Sequence, residues 1–433
     1  MPVRKNGITL LLYVLFRFIV VFCIVAGIEW YFLQGLKTFS QDFSQRGKSL
    51  VLGLAYGFAG LTLLLGLIGM VYPPPSWPVW LRWVMALVLL LVLCKLLGLI
   101  FLILDDGIRL IKWVYRALVP AATGGSPGGI SRLKFFSQLA LGFTVIPAVG
   151  LLYGMIRGAY KYRIHTVRIR SSKIPAAFNG YNMVQISDLH CGSFTGPEVL
   201  ERPFEMIQGL KPDLILFTGD LVNNTAEELK GFDTVLSKLK AKDGVFSVLG
   251  NHDYGDYYTW ESPLQKSENL QRLFKQQQLY GWTLLMNRHV SLIKNDAAIT
   301  LIGVENWGAN LRFPKYGRLA EACKNIPENT FKILMSHDPS HWDGQVRREF
   351  PEIDLTLSGH THGMQLGIEI PGLKWSPAQW IYKQWAGLYQ NGNQYLYVNR
   401  GLGFLGYPGR LGIWPEITQI ILESEEPPRV KPT

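Results

Sequence analysis

Cysteine is rare in this chain of 433 residues, which contains only Cys23, Cys94, Cys191 and Cys323. Two of the four lie within long apolar stretches, so the sequence does not predict the disulfide framework of a small secreted protein. Charge is scarce as well, because Asp, Glu, Lys and Arg make up 17% of the chain. The net charge of +11 is not gathered into a basic stripe interleaved with aromatic residues, so we do not expect a nucleic-acid partner.

Long apolar stretches are abundant before residue 160. Each of four is close to the roughly 20 residues that a helix needs to cross a bilayer. They are Ile8–Phe32, Leu50–Val71, Val79–Leu104 and Phe135–Ile156. A buried core helix would explain one such stretch but not four in succession, and the first is too long for a cleaved signal peptide. We therefore predict an all-α, multi-pass region over residues 1–160 and a location in the cell membrane.

Basic residues follow the fourth apolar stretch directly, where cations would meet anionic head groups. They are Arg157, Lys161, Arg163, Arg168, Arg170 and Lys173. We interpret residues 161–179 as a basic linker. Arg17 and Lys95 lie within apolar stretches, where a cation is a candidate for function. The alternative is that they reach the head groups or pair with Glu29 or with Asp105 and Asp106.

The texture of the sequence changes beyond about residue 165 to short apolar runs that alternate with helical patterns, which is typical of an α/β domain. The predicted strands are Met183–Ser187, Leu214–Thr218, Val245–Leu249, Ala298–Val304, Phe331–Met335, Leu355–Leu357, Tyr395–Val398 and Glu416–Leu422. The predicted helices are Pro197–Leu210, Ala226–Leu239 and Glu261–Leu279. We place the domain at residues 180–425 and a flexible tail at 426–433.

Five predicted strands end in polar clusters, SDLHCG, TGDLVNN, LGNHDYG, MSHDPSH and SGHTHG. Ligands of open α/β sheets bind outside such strand ends. Six of the eight histidines fall in or beside these clusters. Asp188 and His190 are two apart, as are His360 and His362, so in extended backbone both members of each pair would point the same way and bind one ion. The clusters therefore predict a metal site.

The ordered set DLH, GDLVNN, GNHD, SHDPSH and GHTHG, within residues 188–362, resembles the calcineurin-like metallophosphoesterase family. The resemblance implies a four-layer αββα sandwich, here preceded by the membrane region. GHTHGMQ, with WAGLY and YVNRGLG, is similar to a membrane-associated bacterial branch that includes lipid A precursor hydrolases. The apolar front end resembles that of transmembrane proteins with a metallophosphoesterase domain.

Carried over residue by residue, the resemblance implies two divalent metal ions. Asp188, His190 and His362 would hold one, Asn251, His337 and His360 would hold the other, and Asp220 would bridge them. Carboxylate, imidazole and amide ligands without thiolate suit Mn²⁺, Fe or Zn²⁺, and we expect Mn²⁺. Two such ions activate a bridging water as hydroxide for attack on phosphorus.

His252 follows the ligand Asn251, and we expect it to protonate the leaving oxygen or to stabilise charge. Many relatives have an acid where this chain has Asn223, so Asp253 or Asp256 is the expected partner of His252, unless a protonated His252 is not essential. Asn223 and Arg400 are weaker candidates for binding substrate. The alternative for Arg400 is that it braces a loop.

Trp and Tyr are dense in the segment GLKWSPAQWIYKQWAGLY, residues 372–389, directly after the histidine pair. Such clusters are enriched at membrane interfaces, so this one is expected to receive an acyl chain, with a packed cap as the alternative. The favoured hypothesis is a membrane-anchored phosphoesterase for lipid or lipid-linked substrates. Soluble nucleotides or phosphoproteins are the alternative substrates, and a non-catalytic membrane scaffold with a metal-sensing domain is the alternative function. Retained thiols and the resemblance favour a catalytic domain on the cytoplasmic face, while the oligomeric state is left open.

Overall fold

The protein is described by a computed structural model that covers residues 7–71, 78–118, 132–309 and 314–425. It divides into two compact units, Met1–Leu152 and Tyr153–Thr433. The predicted tail, residues 426–433, lies outside the described residues.

The first unit is built from four long helices. They are α1 (Gly7–Phe39), α2 (Gln45–Val71), α3 (Val79–Leu118) and α4 (Arg132–Ile156), the last of which continues into the second unit. These helices give four candidate membrane spans by length and composition, the last of which runs past the end of α4: Ile19–Phe39, Gln45–Gly69, Trp80–Tyr115 and Leu133–Tyr160. The all-α membrane region is therefore confirmed. Helix α3 extends beyond its predicted stretch, because the residues after Leu104 continue the helix to Leu118.

The charged residues predicted inside the membrane region have partners where the structure describes them. The Nζ atom of Lys95 lies 2.5 Å from Oε2 of Glu29, and both side chains are buried. The Lys95 ammonium also lies 4.1 Å from the ring centroid of Phe58. Lys95 therefore pairs with Glu29 rather than with Asp105, while the side chain of Arg17 lies outside the described residues.

In its described residues, the second unit contains two six-stranded sheets and one small hairpin. In chain order its strands are β1 (Arg163–Ser171), β2 (Asn182–Ile186), β3 (Leu214–Phe217), β4 (Val245–Ser247), β5 (Trp282–Leu284), β6 (Arg288–Lys294), β7 (Ala297–Gly303), β8 (Phe331–Met335), β9 (Leu355–Ser358), β10 (Ile368–Ile370), β11 (Leu373–Trp375), β12 (Gly387–Asn391), β13 (Gln394–Val398) and β14 (Glu416–Ser424). The first sheet has the order β1-β14-β2-β3-β4-β5, the second has the order β12-β13-β9-β8-β7-β6, and β10 pairs with β11.

Five α-helices lie between the strands along the described part of this unit. They are α5 (Glu201–Gly209), α6 (Asp233–Leu236), α7 (Pro263–Leu279), α8 (Leu319–Ala322) and α9 (Arg347–Glu349). Leu216 of the first sheet and Leu301 of the second belong to one buried cluster between the sheets. A second cluster joins Leu334 of the second sheet to Leu319 and Trp342 in its outer helical layer. This arrangement confirms the predicted αββα sandwich, since apolar residues fill the space between sheets and beneath the helices.

The prediction of a basic linker over residues 161–179 is corrected by the structure, because residues 163–171 form strand β1. It pairs in parallel with β14 from Arg163 opposite Glu416 to Ser171 opposite Ser424. Ile169 of β1 is fully buried in the core between the sheets, while its neighbours Arg168 and Arg170 point outward and contact Glu423. The arginines at alternate positions 168 and 170 concealed a strand that packs on the core through Val167 and Ile169.

Candidate metal centre

The loops after β2, β3 and β9 adopt an unusual backbone conformation that aims their side chains at one point. Five of the predicted metal ligands there have positive φ: Asp188 (53°), His190 (48°), Asp220 (60°), His360 (71°) and His362 (49°). Left-handed backbone is unfavourable for such residues and persists only where the surroundings hold it, typically at functional sites. The predicted extended backbone at the two spaced pairs is therefore wrong.

Six acidic and histidine side chains form two groups, in each of which the ligand atoms lie within 4.8 Å of one another. One group contains Asp188, His190 and His362, and the other contains Asp220, His337 and His360. Oδ2 of Asp220 lies 3.1 Å from Nε2 of His337 in its own group and 3.5 Å from Nε2 of His190 in the other. Asp220 thus stands between the two groups, as the position of a bridging ligand requires.

The two spaced pairs behave differently. Asp188 and His190 belong to one group, whereas His360 and His362 divide between the two. The prediction that both members of a pair face one ion is therefore wrong for His360 and His362 and stays a prediction for Asp188 and His190. The backbone N–H of His360 donates to Oδ2 of Asp188 at 3.0 Å, so the same loop also holds the carboxylate of the other group.

Three buried atoms of the predicted ligands, each able to coordinate a metal, make no hydrogen bond among the residues that the structure describes. They are Nε2 of His190, Nε2 of His362 and Oδ1 of Asn251. The opposite ends of two of these side chains are held. Nδ1 of His190 lies 3.0 Å from Oδ1 of Asn223, and the Asn251 amide donates to the hydroxyl of Tyr257 at 3.0 Å. Nδ1 of His337 likewise donates to the carbonyl of Thr218 at 2.7 Å. Unsatisfied inner atoms and fixed outer atoms are what metal ligands require, so the residues fit two divalent ions.

Burial sets the protonation of the histidines. It lowers the pKa of His190 to about 3 and holds the pKa of His362 well below its usual value, so both imidazoles are neutral, as ligands must be. Burial also acts to lower the pKa of His337, but the adjacent Asp220 carboxylate outweighs it and raises that pKa to about 10. Without metal, a proton therefore stabilises the His337–Asp220 pair.

Asp253 has a structural role at the site, whereas the sequence predicted it as a possible partner of His252. Its carboxylate accepts hydrogen bonds from the backbone N–H groups of Asp220 at 2.9 Å, Leu221 at 2.8 Å, Val222 at 3.2 Å and Gly250 at 2.9 Å. It fastens the loop after β3 to the loop after β4 and is not the partner of His252. No sequence signal reveals this role, because main-chain amides from two loops meet only in the folded chain.

His252 receives its orientation from Asn223, although not from the amide side chain. Nδ1 of His252 donates to the Asn223 carbonyl at 2.8 Å, and its backbone N–H donates to Oδ1 of Asp220 at 2.9 Å. Nε2 of the ring is therefore the atom available to a substrate. Asp256, the other predicted partner, instead contacts Lys266 and the hydroxyl of Tyr316.

An open pocket of about 320 Å³ gives access to the two groups. Its lining consists of His190, Asp220, Asn251, His252, Tyr257, His360, His362 and Leu405. The side chain of Asn223 contacts His190 and is not part of this lining. In place of the predicted contact with substrate, Asn223 orients His190 through its side chain and His252 through its carbonyl.

The predicted role of Arg400 also changes. Arg400 is 3% exposed, and its guanidinium donates to Glu416 and, at 2.5 Å, to Glu369. Arg400 pairs with two carboxylates of its own domain. It therefore braces the loop after β13, which was the alternative interpretation.

Two further residues contact metal-site histidines without having been predicted. The hydroxyl of Tyr382 lies 2.7 Å from Nε2 of His360, and Nη2 of the fully buried Arg410 lies 3.2 Å from Nδ1 of His362. Tyr382 belongs to the aromatic segment, so the density of Trp and Tyr beside the histidine pair was the available signal. Arg410 had none.

The sandwich and its paired ligand groups define the class of a dinuclear metallohydrolase. A family model described as "Calcineurin-like phosphoesterase" matches residues 181–364, and one described as "Probable Calcineurin-like phosphoesterase, transmembrane domain" matches residues 15–159.

Curated relatives agree with these matches. The chain is 33% identical over 281 residues to "Uncharacterized metallophosphoesterase YkuE" of Bacillus subtilis (strain 168), covering 63% of this chain and 90% of that protein. It is 31% identical over 297 residues to "Transmembrane protein with metallophosphoesterase domain" of Danio rerio, covering 67% of this chain and 63% of the relative. The Bos taurus protein of the same description is 28% identical over 327 residues, covering 74% of this chain and 69% of that protein. The chain belongs to the calcineurin-like metallophosphoesterase family.

Proposed function

We propose that the protein is a membrane-anchored, metal-dependent hydrolase that cleaves a phosphate ester or diphosphate in a lipid or lipid-linked molecule. The observation that carries the proposal is the pair of buried ligand groups, with Asp220 between them, that line an open pocket. Such a site suits phosphoryl chemistry, because charge on the phosphate oxygens needs several cationic partners at once.

Asp188, His190 and His362 would hold one ion, and Asn251, His337 and His360 would hold the other, with Asp220 between them. Two divalent ions, when bound, supply Lewis acidity toward phosphoryl oxygens and lower the pKa of water. Mn²⁺ is the ion that we propose, since oxygen and imidazole donors without thiolate accommodate it.

His252 supplies the protein's own proton chemistry. Its Nδ1–H is committed to the Asn223 carbonyl, so Nε2 faces the pocket and can hold a proton for the leaving oxygen or stabilise charge on it. The fixed ring orientation removes the need for reorientation during reaction.

A lipid or lipid-linked substrate is supported by two features of the chain. Four helices have the length and composition of membrane spans, and the aromatic segment reaches the site through Tyr382. Similarity to lipid A precursor hydrolases stays a prediction, and we place the catalytic unit on the cytoplasmic face as a further part of the proposal. Protease accessibility of this unit in sealed spheroplasts tests that placement, since cleavage from outside would contradict it.

The experiment uses the full chain, purified in detergent and supplied with Mn²⁺. We expect hydrolysis of a generic phosphodiester and faster hydrolysis of glycerophospholipids or nucleotide-linked lipids than of free nucleotides. His252→Ala should lower kcat by about 10²–10⁴-fold, whereas His289→Ala, whose Nδ1 contacts the carbonyl of Ala322, is the matched control. Activity unchanged in a folded His252→Ala protein would contradict the catalytic role, and preference for soluble nucleotides would contradict the lipid substrate.

A further inference from the structure

The hairpin β10–β11 has an inverted distribution of polarity. Its strands pair in antiparallel register with Glu369 opposite Lys374. Opposed side chains project from the same face of a two-stranded sheet, so these two charges share one face. The other face carries only apolar side chains, which are Ile368, Ile370, Leu373 and Trp375.

The charged face is the one attached to the domain. Glu369 accepts from the guanidinium of Arg400 at 2.5 Å. Lys374 donates to the carbonyl of Ala386, and its Nζ lies 4.8 Å from the ring centroid of Trp385. These contacts hold the hairpin with its apolar face outward, where Ile370 is 58% exposed.

The apolar face continues into the segment that follows. The ring of Trp375 contacts that of Trp380 edge-on, with centroids 5.9 Å apart. Trp380 is 72% exposed and its neighbour Ile381 is 59% exposed. We define the hairpin surface as Ile368, Ile370, Leu373, Trp375, Trp380 and Ile381. A contiguous apolar surface of this kind marks a binding face rather than random exposure.

We infer that the hairpin surface inserts into the head-group region of the lipid bilayer. This inference goes beyond the proposed function, because it holds whether or not a lipid is the substrate. The composition of the hairpin surface supports a bilayer as the occupant: exposed Trp and Ile are followed by Lys383, and Glu369 is neutralised by Arg400.

The end of the fourth span provides the second support. A Cβ added at Gly158 would lie 1.9 Å from the carbonyl oxygen of Arg410, so the span's last turn packs directly on that loop. Leu411, the next residue, forms a bridge with Leu366, two residues before the hairpin begins. Within this unit, therefore, the backbone that leaves the bilayer and the base of the hairpin meet on one loop.

The hairpin surface also adjoins the metal centre. Ile381 precedes Tyr382, whose hydroxyl lies 2.7 Å from Nε2 of His360. Insertion of Ile381 into lipid would therefore bring the pocket close to the membrane surface and hold Tyr382 against a metal ligand.

A fluorescent probe tests the insertion directly, without reference to activity. The full chain, with its four cysteines replaced by alanine, would carry an environment-sensitive probe on Ile381→Cys or, as the matched control, on Ile293→Cys. Ile293 is an equally prominent exposed isoleucine, 75% exposed, at the far edge of the second sheet. Both proteins are reconstituted at about one copy per vesicle in phosphatidylcholine–phosphatidylglycerol vesicles, with nitroxide-labelled lipids or aqueous iodide as quenchers.

We expect the probe at position 381 to be quenched by nitroxide lipids and protected from iodide, with the reverse at position 293. Iodide quenching at both positions would overturn the inference. Protection from iodide at 381 without lipid quenching would overturn it too, because another part of the chain or a protein would then cover the surface.

A second measurement guards against misfolding of the cysteine-free chain. In the otherwise native protein, brominated lipids should quench more tryptophan emission than in Trp380→Phe, and equal quenching in the two proteins would contradict insertion. Lipid quenching together with no hydrolysis of lipid substrates would leave the insertion established and remove only the proposed substrate.

Discussion

At the scale of the residue, side-chain chemistry explains which members of the site could be predicted. Carboxylates and imidazoles at strand ends have few structural reasons to cluster, so Asp188, Asp220 and His360 were identifiable by type and position. Asp253 and Arg410 act on backbone amides or on another side chain across the fold. Those partners are set by loop geometry, which no local sequence pattern encodes.

Asp253 should be as important to metal binding as a ligand. Asp253→Asn replaces an acceptor of four amide hydrogen bonds with a side chain that has one acceptor oxygen, so we expect a loss of about 2–4 kcal/mol of unfolding free energy and reduced metal content. Elemental analysis and chemical denaturation measure both. Asp256→Asn, which removes a carboxylate that contacts Lys266 near the surface, is the control, and equal behaviour of the two variants would contradict the role.

Metal binding should release a proton from the His337–Asp220 pair. Because the pKa of His337 is raised to about 10 by Asp220 against the effect of burial, the metal-free site binds a proton that an ion must displace. Affinity for Mn²⁺ should therefore rise with pH between 6 and 9, by up to about tenfold per pH unit. Calorimetry in buffers of different ionisation enthalpy measures the release, and pH-independent affinity would show that His337 is neutral before binding.

At the scale of the element, apolar runs located strands well and charged strands poorly. Phe331–Met335 was predicted to the residue because it is buried on both faces. β1 was missed because its outward arginines dominate its composition, and β10–β11 because each has only three residues. Short or half-charged strands depend on their partners, so their sequence alone specifies them weakly.

The last turn of the fourth span should tolerate no side chain. Gly158→Ala would place a methyl group 1.9 Å from the Arg410 carbonyl, which is backbone and cannot move aside cheaply. We expect a lower melting temperature of the second unit and weaker metal retention. Gly142→Ala in α4, where a Cβ meets nothing within 4 Å, is the matched control, and equal melting temperatures would contradict the packing.

The start of β14 should contribute to acid stability. Burial acts to raise the pKa of Glu416, but the adjacent guanidinium of Arg400 outweighs it and lowers that pKa to about 2. The stabilisation is therefore complete above pH 4.5 and is lost as the pH falls toward 2. Glu416→Gln should cost about 3–5 kcal/mol at neutral pH and flatten this acid dependence.

The Glu423→Gln change on the same strand, at a partly exposed surface ion pair, should change stability little. Denaturant titrations from pH 6 to 2.5 compare the two variants with the wild type. If the acid dependence of stability were unchanged in Glu416→Gln, other carboxylates would be its cause.

At the scale of the whole molecule, the division into an apolar front end and an α/β domain followed from composition alone. The membrane helices were predictable from the length of their apolar stretches, and the sandwich was predictable from the family resemblance that the ordered strand-end clusters carry. The orientation of individual loops did not follow, because the left-handed backbone at the metal site is imposed by contacts between loops distant in sequence. The aromatic segment 372–389 was predictable from its composition, but the apolar face of β10–β11 was not, since that face is distinguished only by which face the domain covers.

Metal stoichiometry tests the central claim most directly. Elemental analysis of the active, purified full chain should find two divalent transition-metal ions per chain. Binding of both ions should be weakened or lost in Asp220→Ala, because the Asp220 carboxylate stands between the two groups. Active wild-type protein without transition metal would contradict the account.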